Sequence, residues 1–366
     1  MSSTSAVTAT TSGAPVEAVE ATASTIPTDG GPESDGTLEW DSTTIVVCRI
    51  RAGGETGLGY TYGSDAVAGL IEGKLASVLD GRDAFATGGA WHAMRAALRN
   101  AGQAGAGAQA LSAVDIALHD LKAKLLGVPV HRLLGAVDGG VPIYASGGFC
   151  SWDDERLAAW TREGAPAGRV KIKVGREPER DLHRLEVTRA AAGPDVELMV
   201  DANGAYPTVA EARHWAGEFG RRGVTWLEEP LSSDDLGGLR AVRDTAPGGL
   251  AVAAGEYAWS PMDARRMLGA QAVDVLQLDV TRCGGFTGAL AIDALAEAFN
   301  VPTSLHCAPA VSAQVGAAMR SVVHLEHFHD HVRIEGMLFE GAPSPEGGWL
   351  PAPDRPGIGL RETSSG

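Results

Sequence analysis

Basic residues and cysteines are both scarce in this sequence. Lys and Arg number 30 against 46 Asp and Glu, so the formal net charge at neutral pH is −16. Such a balance repels nucleic acid and anionic lipid surfaces, which excludes both as expected partners. The four cysteines are scattered without a CxxC pair, so neither a zinc ribbon nor a secreted disulfide framework is expected; they are Cys48, Cys150, Cys283 and Cys307. A reducing, cytoplasmic setting is therefore the default expectation.

Long apolar segments are also absent. No stretch approaches the roughly 18 consecutive apolar residues of a membrane span. The start of the sequence, MSSTSAVTATTSGAP, has neither a basic beginning nor an apolar core of the kind that directs secretion. We therefore expect no membrane partner, and we expect residues 1–14 to form a disordered tail.

From residue 141 to about residue 326 the sequence repeats one unit, which is a short apolar run, a turn and an amphipathic helix. Apolar runs of four to eight residues between turns are typical of buried parallel strands. The eight runs contain VPIYASGG, RVKIKVG, ELMVD, VTWLE, LAVAAGE, VDVLQLD, VPTSLH and SVVHLEH. The pattern predicts an α/β fold, a (β/α)8 barrel with its active site at the carboxyl ends of the strands.

Three consecutive runs end at an acidic residue, namely Asp201, Glu228 and Glu256. These residues are 27 and 28 positions apart, about the length of a strand, a helix and two loops, so their carboxylates should lie on neighbouring strands and face one point. Three converging carboxylates repel one another unless a divalent cation lies between them. Because the ligands are all oxygens, with room left for water and substrate, the sequence predicts Mg2+ rather than zinc.

Two lysines, Lys171 and Lys173, close the second run with one residue between them. Side chains alternate along a strand, so both should point to the same face. Two ammonium groups so close disfavour each other's protonation, which should lower the pKa of a lysine toward that of a useful base. The alternative is a pair of solvated lysines on a surface strand, and the inward direction of alternate barrel positions disfavours it.

The last three runs carry Asp279, His306 and Glu326 near their ends. Asp279 and His306 should be neighbours on adjacent strands, where a carboxylate orients an imidazole and stabilises its charged form. The alternative for His306 is a hydrogen-bonded core histidine, but its place beside an acid, in register with the metal-type acids, favours catalysis. Glu326 is either a solvated acid or a protonated carboxylic acid that donates a hydrogen bond to an oxyanion.

A rival metal hypothesis concerns a histidine cluster that consists of His324, His327, His329 and His331. Strand alternation would place the last three on one face, but ligands so extended do not close a zinc tetrahedron easily, and no cysteine or HExxH motif accompanies them. We therefore disfavour a zinc site there.

The first 140 residues lack the barrel repeat. Residues 26–40 are rich in Gly, Pro and Asp and are too long for a hairpin turn, so we expect a functional loop or lid. Residues 53–63, GGETGLGYTYG, lack the third glycine of a dinucleotide fingerprint, so we interpret them as a hairpin turn followed by a loop. Helical periodicity then extends from about Ala66 to Lys124. The predicted divisions are a tail (1–14), an N-terminal α+β domain (15–140), the barrel (141–330) and a C-terminal segment that packs back on the N-terminal domain (331–366).

With these residues in place, the sequence resembles the enolase superfamily and, within it, the mandelate racemase subgroup. The resemblance covers about residues 16–360 and depends on the order and spacing of LSAVDIALHDLKAKLLG, KIK at 171–173, VDANG at 201, WLEEP at 228, GE at 256, DVTRCGG at 279 and SLH ending at 306. It implies a modified barrel under an α+β cap formed by both chain ends, with Mg2+ at the strand ends. The metal ligands that it implies are Asp201, Glu228 and Glu256.

The resemblance also implies a role for each of the other site residues. These are Lys173 as the base on one face of the substrate with Lys171 beside it, His306 with Asp279 as the acid/base on the other face, Glu326 as the donor to the enolate, and Asn203 with Lys171 as substrate contacts. The related subgroup of cycloisomerases, dipeptide epimerases and succinylbenzoate synthases carries a catalytic lysine where this chain has Asp279, so it is disfavoured. His119 stands where the family commonly has tryptophan, in the cap and away from these roles.

The reaction that this resemblance implies begins with removal of the proton α to a carboxylate. We favour dehydration of an aldonic or aldaric acid sugar to a 2-keto-3-deoxy acid. The alternatives are racemisation or epimerisation of a 2-hydroxy acid and, from a different class, a non-catalytic binding protein on the same scaffold; no expected ligand or base is missing, which argues against the latter. The expected partner is a small carboxylate, and a homo-oligomer is expected.

Overall fold

A computed structural model describes residues 13–363, and residues 1–12 and 364–366 lie outside the described part. Most of the predicted tail, residues 1–14, is therefore outside it. Ala14 is nevertheless buried, and its carbonyl accepts a hydrogen bond from the Ala84 N–H at 2.8 Å. Within residues 13–363 no helix is both long and apolar enough to cross a membrane.

The N-terminal part is an antiparallel sheet packed against helices. Its strands are β1 (Ala18–Pro27), β2 (Glu33–Ser34), β3 (Glu39–Trp40), β4 (Ser42–Ala52) and β5 (Glu55–Tyr62). Its helices are α1 (Ala66–Leu70), α2 (Ala76–Leu79), α3 (Thr87–Ala97), α4 (Ala106–Leu126) and α5 (Val130–Leu133). The sheet order is β1-β4-β5, while β2 and β3 form a separate small hairpin. The α+β character predicted for this part is confirmed.

The interpretation of residues 53–63 as a turn followed by a loop is wrong beyond Gly54. Residues 55–62 form β5, which pairs with β4 along its whole length. The glycines that suggested a loop are required by packing, because a Cβ at either Gly57 or Gly59 would lie 2.2 Å from a carbonyl oxygen of α4. Glycine in a strand often marks such a close approach between backbones. The strand is therefore glycine-rich because α4 lies directly on it.

Residues 26–40 contain more regular structure than a loop, since β1 extends to Pro27 and β2 pairs with β3. The segment lies on the barrel. The Cys150 N–H donates to Ser34 O at 2.7 Å, and a Cβ at Gly36 would lie 2.4 Å from Ala202 O. Residues 26–40, called the cap segment below, thus lie against residues that follow barrel strands, such as Cys150 and Ala202.

Eight parallel strands form the predicted barrel, and pairing between the last and the first closes it. The strands are β6 (Gly140–Gly147), β7 (Arg169–Lys173), β8 (Glu197–Asp201), β9 (Val224–Glu228), β10 (Ala251–Ala254), β11 (Val275–Leu278), β12 (Thr303–Leu305) and β13 (Val322–Phe328). The helices are α6 (Asp154–Gly164), α7 (Pro178–Ala192), α8 (Val209–Arg221), α9 (Leu236–Arg243), α10 (Pro261–Gly269), α11 (Gly285–Phe299), α12 (Pro309–Gly316) and α13 (His329–Leu338). Side-chain caps begin several of these helices: Asp153, Thr208, Asp235 and Ser260 each accept a hydrogen bond from the backbone N–H three residues later.

The C-terminal segment touches both parts of the molecule. Its strands are β14 (Phe339–Glu340), β15 (Trp349–Pro351) and β16 (Arg361–Glu362), and β15 pairs with the start of β6. The Ile358 N–H donates to Asp120 of α4 at 2.6 Å, and Glu362 forms an ion pair with Arg49 of β4. The segment therefore packs on the N-terminal sheet and helix, and also on the barrel.

Candidate active site

The structure brings the three predicted metal-type carboxylates together. Asp201 ends β8, Glu228 ends β9, and Glu256 follows β10 by two residues. All three are buried, and one carboxylate oxygen from each lies within 4.8 Å of the others. Gly255 makes the turn before Glu256 at φ +135°, and a Cβ there would lie 2.2 Å from Gln277 O, so only glycine fits. The convergence predicted from the 27- and 28-residue spacing is confirmed.

The donor set fits a hard divalent cation. Oε1 of Glu228 and Oε2 of Glu256 are buried and have no hydrogen-bond partner among the described residues. Burial, followed by the charge of Asp201, raises the pKa of Glu228 to about 8. Free carboxylate oxygens that converge in a buried place are costly, and a cation with oxygen ligands, such as Mg2+, would satisfy them.

Lys171 and Lys173 are both buried and point to the same side of β7, as predicted. Lys171 Nζ lies 2.7 Å from Glu228 Oε2 and 2.7 Å from Glu326 Oε1. Lys173 Nζ donates to Asp201 Oδ2 at 2.6 Å. Each lysine is thus paired with buried acids of other barrel strands, and neither is a solvated surface lysine.

The predicted lowering of the lysine pKa is wrong for the lysines as the structure places them. Burial alone would lower the pKa of both ammonium groups, but the carboxylates around them outweigh it. Glu228 and Glu326 raise the pKa of Lys171, and Asp201 raises the pKa of Lys173, although the charge of Lys171 opposes the latter. Repulsion between the two lysines is real, but it is weaker than attraction to the acids.

Asp279 and His306 form the predicted pair. They follow β11 and β12, and Asp279 Oδ2 accepts a hydrogen bond from His306 Nδ1 at 2.7 Å. Burial alone would raise the pKa of Asp279, but Arg282 and His306 outweigh it and lower this pKa to about 2. Burial alone would lower the pKa of His306, yet the charges of Glu256 and Glu326 raise it. A charged carboxylate therefore holds Nδ1, and Nε2 is the nitrogen that can transfer a proton.

Glu326 lies at this site but is not a neutral acid in it. Its Oε1 accepts a hydrogen bond from Ser146 Oγ at 2.6 Å, beside the Lys171 ammonium. Burial alone would raise the pKa of Glu326, but the charges of Lys171 and His306 hold it well below its usual range. Two cationic groups therefore favour the charged form of this carboxylate over the protonated donor, and its burial excludes the solvated acid.

Asn203, the predicted substrate contact, lies beside the metal-type acids. Its backbone is left-handed at φ +46°, and its N–H donates to Asp201 Oδ1 at 2.9 Å. Its side-chain Oδ1 is buried and has no partner among the described residues. Thr37 of the 26–40 segment donates to the Asn203 carbonyl at 3.3 Å, so the cap contacts the site here.

The disfavoured histidine cluster does not form. Strand β13 ends at Phe328, and His329 and His331 lie on α13, so the three histidines do not share a strand face. Among residues 13–363, no possible metal-binding group contains more than one of these four histidines. One such group does join His329 and Asp330 of α13 to the buried Glu33 of the cap segment.

Three residues that the sequence analysis overlooked complete the site. Arg282 Nη1 lies 3.1 Å from Glu256 Oε1, and its Nε lies 3.2 Å from Asp279 Oδ2. Arg282 stands three residues after Asp279, and this spacing could have indicated an ion pair between them. Glu229 is buried, and its backbone has φ +38°. Strand alternation would point it away from Glu228, so the sequence pattern did not indicate it. Burial and the charge of Glu256 raise the pKa of Glu229 well above its usual value. The Cys307 thiol lies 3.3 Å from both His306 Nε2 and Glu326 Oε2, and only the fold reveals this.

Comparison with known proteins identifies the family of both the barrel and the N-terminal part. Residues 153–363 match the family model described as Enolase C-terminal domain-like, and residues 34–135 match the Mandelate racemase / muconate lactonizing enzyme, N-terminal domain. A 3,6-anhydro-alpha-L-galactonate cycloisomerase from Streptomyces coelicolor is 33% identical over 332 residues, which are 86% of this chain and 88% of that protein.

Solved structures agree over nearly the whole chain. A mandelate racemase/muconate lactonizing enzyme-like protein from Rubrobacter xylanophilus is 53% identical, with a TM-score of 0.93 over 96% of this chain and 98% of that chain. The L-talarate/galactarate dehydratase from Salmonella typhimurium LT2, liganded with Mg and L-lyxarohydroxamate, is 27% identical, with a TM-score of 0.88 over 100% of this chain and 95% of that chain. The protein is therefore a member of the enolase superfamily, in its mandelate racemase and muconate lactonizing group.

Proposed function

We propose that this protein is a Mg2+-dependent dehydratase that converts an aldonic or aldaric acid sugar to a 2-keto-3-deoxy acid. The observation that carries the proposal is the placement of two different proton-transfer groups around one set of metal-type carboxylates. Lys173 approaches Asp201 at 2.6 Å, while His306 Nε2 approaches Glu256 Oε2 at 3.3 Å. A substrate carboxylate bound to a cation at these acids would have Lys173 and His306 on different sides of its α-carbon.

Asp201, Glu228 and Glu256 would hold the cation. When bound, Mg2+ supplies positive charge that stabilises the substrate carboxylate as the α-proton leaves and offsets the acids that now raise the lysine pKa values. Lys173 then acts as a base from the β7 side, and Lys171 remains between Glu228 and Glu326 as a positive neighbour of the developing charge.

His306 supplies the second proton transfer. Its pKa is raised because Glu256 and Glu326 outweigh the effect of burial, so Nε2 can carry a proton to a departing hydroxyl. In the dehydration, the α C–H bond breaks, its electron pair forms a C=C bond, and the β C–O bond breaks with the oxygen leaving as water. The enol that remains becomes the 2-keto-3-deoxy acid by taking a proton at C3 and losing the proton of its hydroxyl group.

A second candidate is cycloisomerisation of a sugar acid. The relative from Streptomyces coelicolor, which is named a cycloisomerase, favours it. The same proton removal and the same acid would serve, with the leaving oxygen remaining attached to the sugar as part of the same molecule. The product would then have the mass of the substrate, whereas a dehydration product is lighter by one water.

A panel of aldonates and aldarates with Mg2+ tests the proposal. We expect one or a few acids to give a 2-keto product, detected as a semicarbazone, and we expect Glu228→Gln to abolish it while the fold survives. Exchange of the α-proton in D2O without a keto product would instead indicate racemisation. Binding that raises the melting temperature, without any turnover or exchange across the panel, would contradict an enzyme of this kind.

A further inference from the structure

We propose that Trp226 is a positioning residue that holds Glu228 in the orientation that binds the divalent cation. Trp226 lies two residues before Glu228 on β9, so both side chains point to the same face of the strand. Its side chain is 4% exposed, and Nε1 donates a hydrogen bond to Glu228 Oε2 at 3.0 Å. The inference rests on the metal site of the proposed function.

The two carboxylate oxygens of Glu228 have different surroundings. Oε2 accepts hydrogen bonds from Trp226 Nε1 and, at 2.7 Å, from Lys171 Nζ. Oε1 is buried and has no partner among the described residues. Two donors on one oxygen prevent the carboxylate from turning, which leaves the other oxygen free for a cation.

The indole and the ammonium restrain Glu228 differently. Lys171 is shared among several acids, since its Nζ also lies 2.7 Å from Glu326 and 3.6 Å from Asp201. A flexible ammonium can follow any of them. The Trp226 indole has a single N–H, and its ring packs in the barrel interior beside Tyr144 and His324, with ring centroids 6.4 and 5.1 Å away. Its hydrogen bond therefore has a fixed direction.

The expected loss of Mg2+ affinity can be judged from other hydrogen bonds that orient a metal ligand. Loss of a group that orients a metal ligand typically weakens metal affinity by about 10- to 100-fold. Because Lys171 still holds Oε2, we expect the lower end of this range, about 10-fold, when the indole N–H is removed. The indole is neutral, so its loss leaves the formal charge of the site unchanged.

Titration of Mg2+ into the metal-free full-length protein, followed by calorimetry without substrate, tests the inference. Trp226→Phe keeps the aromatic ring and removes the donor, and its Kd for Mg2+ should rise about 10-fold with little change in melting temperature. Trp215→Phe on α8 is the matched control, because that ring stacks on Tyr206 outside the site, and its Kd should equal the wild-type value. An unchanged Kd in Trp226→Phe overturns the inference.

Two further arms keep the result interpretable. If Trp226→Phe does not fold, the benzothiophene analogue of tryptophan at position 226 preserves the shape of the ring, lacks the N–H, and should show the same 10-fold rise. A wild-type Kd for that analogue overturns the inference. Wild-type protein that binds no Mg2+ would overturn the metal site of the proposed function itself, whereas tight wild-type binding with an unaffected variant overturns only the role of Trp226.

Discussion

Asp279→Asn should remove the protonated form of His306 that the proposed dehydration needs. Asp279 Oδ2 accepts a hydrogen bond from His306 Nδ1, while Oδ1 accepts two hydrogen bonds from Thr281, from its N–H and its hydroxyl, both at 2.7 Å. Both Thr281 groups act as donors toward this oxygen. The Thr281 backbone N–H can only donate, so it favours the new amide oxygen at the Oδ1 position against the opposing Arg282 Nε, which lies 3.2 Å from Oδ2. The new NH2 group should then face His306.

The expected magnitude follows from this orientation. An NH2 group that donates to Nδ1 opposes a proton on that nitrogen, so His306 stays neutral with its only proton on Nε2. The imidazolium, which is the form that gives a proton from Nε2 to the departing hydroxyl, also loses the negative charge that now stabilises it. The equivalent change in the His–Asp pair of a serine protease lowers turnover about 10,000-fold, which corresponds to about 5 kcal/mol of transition-state stabilisation.

The measurement combines turnover with proton exchange. We expect the initial rate of 2-keto acid formation at saturating Mg2+ to fall about 10,000-fold in Asp279→Asn, with a much smaller change in Mg2+ affinity. His306→Asn should also stop turnover. Proton NMR in D2O should still show α-proton exchange by Lys173 if its side of the site matches the configuration of the substrate.

The matched control is Thr281→Val, which removes one donor to Oδ1 and leaves the carboxylate on His306 Nδ1. Its turnover should therefore fall far less than that of Asp279→Asn. A turnover rate for Asp279→Asn within tenfold of wild type would refute this argument. Wild-type dehydration by both His306→Asn and Lys173→Ala would remove these residues from the mechanism.

Three other predictions concern the cap. Mg2+ with substrate should slow hydrogen exchange in residues 26–40, because they lie on the strand ends; unchanged exchange contradicts a lid. Burial and Asp330 raise the pKa of Glu33 from 4.5 to about 9, so the folded state holds a proton that the unfolded chain releases. Stability should thus fall between about pH 5 and 9, and Glu33→Gln should flatten this decline in melting temperature. Gly59→Ala puts a Cβ 2.2 Å from Ala113 O and should cost about 2 kcal/mol or more in urea unfolding; no loss would contradict the close packing of α4.

Local pattern was enough to predict the barrel and the convergence of its acids. Each strand is a short apolar run, and the site residues stand near, at or just after the carboxyl end of one. The position of a residue in the run therefore gives the direction in which its side chain projects. Asp201, Glu228 and Glu256 could be placed together for this reason, as could the contact between Asp279 and His306. Helical periodicity and turn residues also marked the change from the cap to the barrel at about residue 140.

Protonation states and outer partners required the tertiary structure. A pKa depends on every charge within several ångströms, and those around Lys171 and Glu326 come from strands far apart in sequence. The lysine pair therefore has a raised pKa where the sequence suggested a lowered one, and the pKa of Glu326 is lowered, which disfavours the protonated form that the sequence left open.

The roles of glycines and single donors were also decided by long-range packing. Gly57 and Gly59 looked like turn residues, but they are strand residues that allow α4 to approach β5. The hydrogen bond from the Trp226 N–H to Glu228 is visible only in the tertiary structure. The sequence by itself determined most of the residues that reach the site, because strand direction is local. The tertiary structure alone decided their charges and contacts, because these depend on neighbours that the chain brings together from a distance.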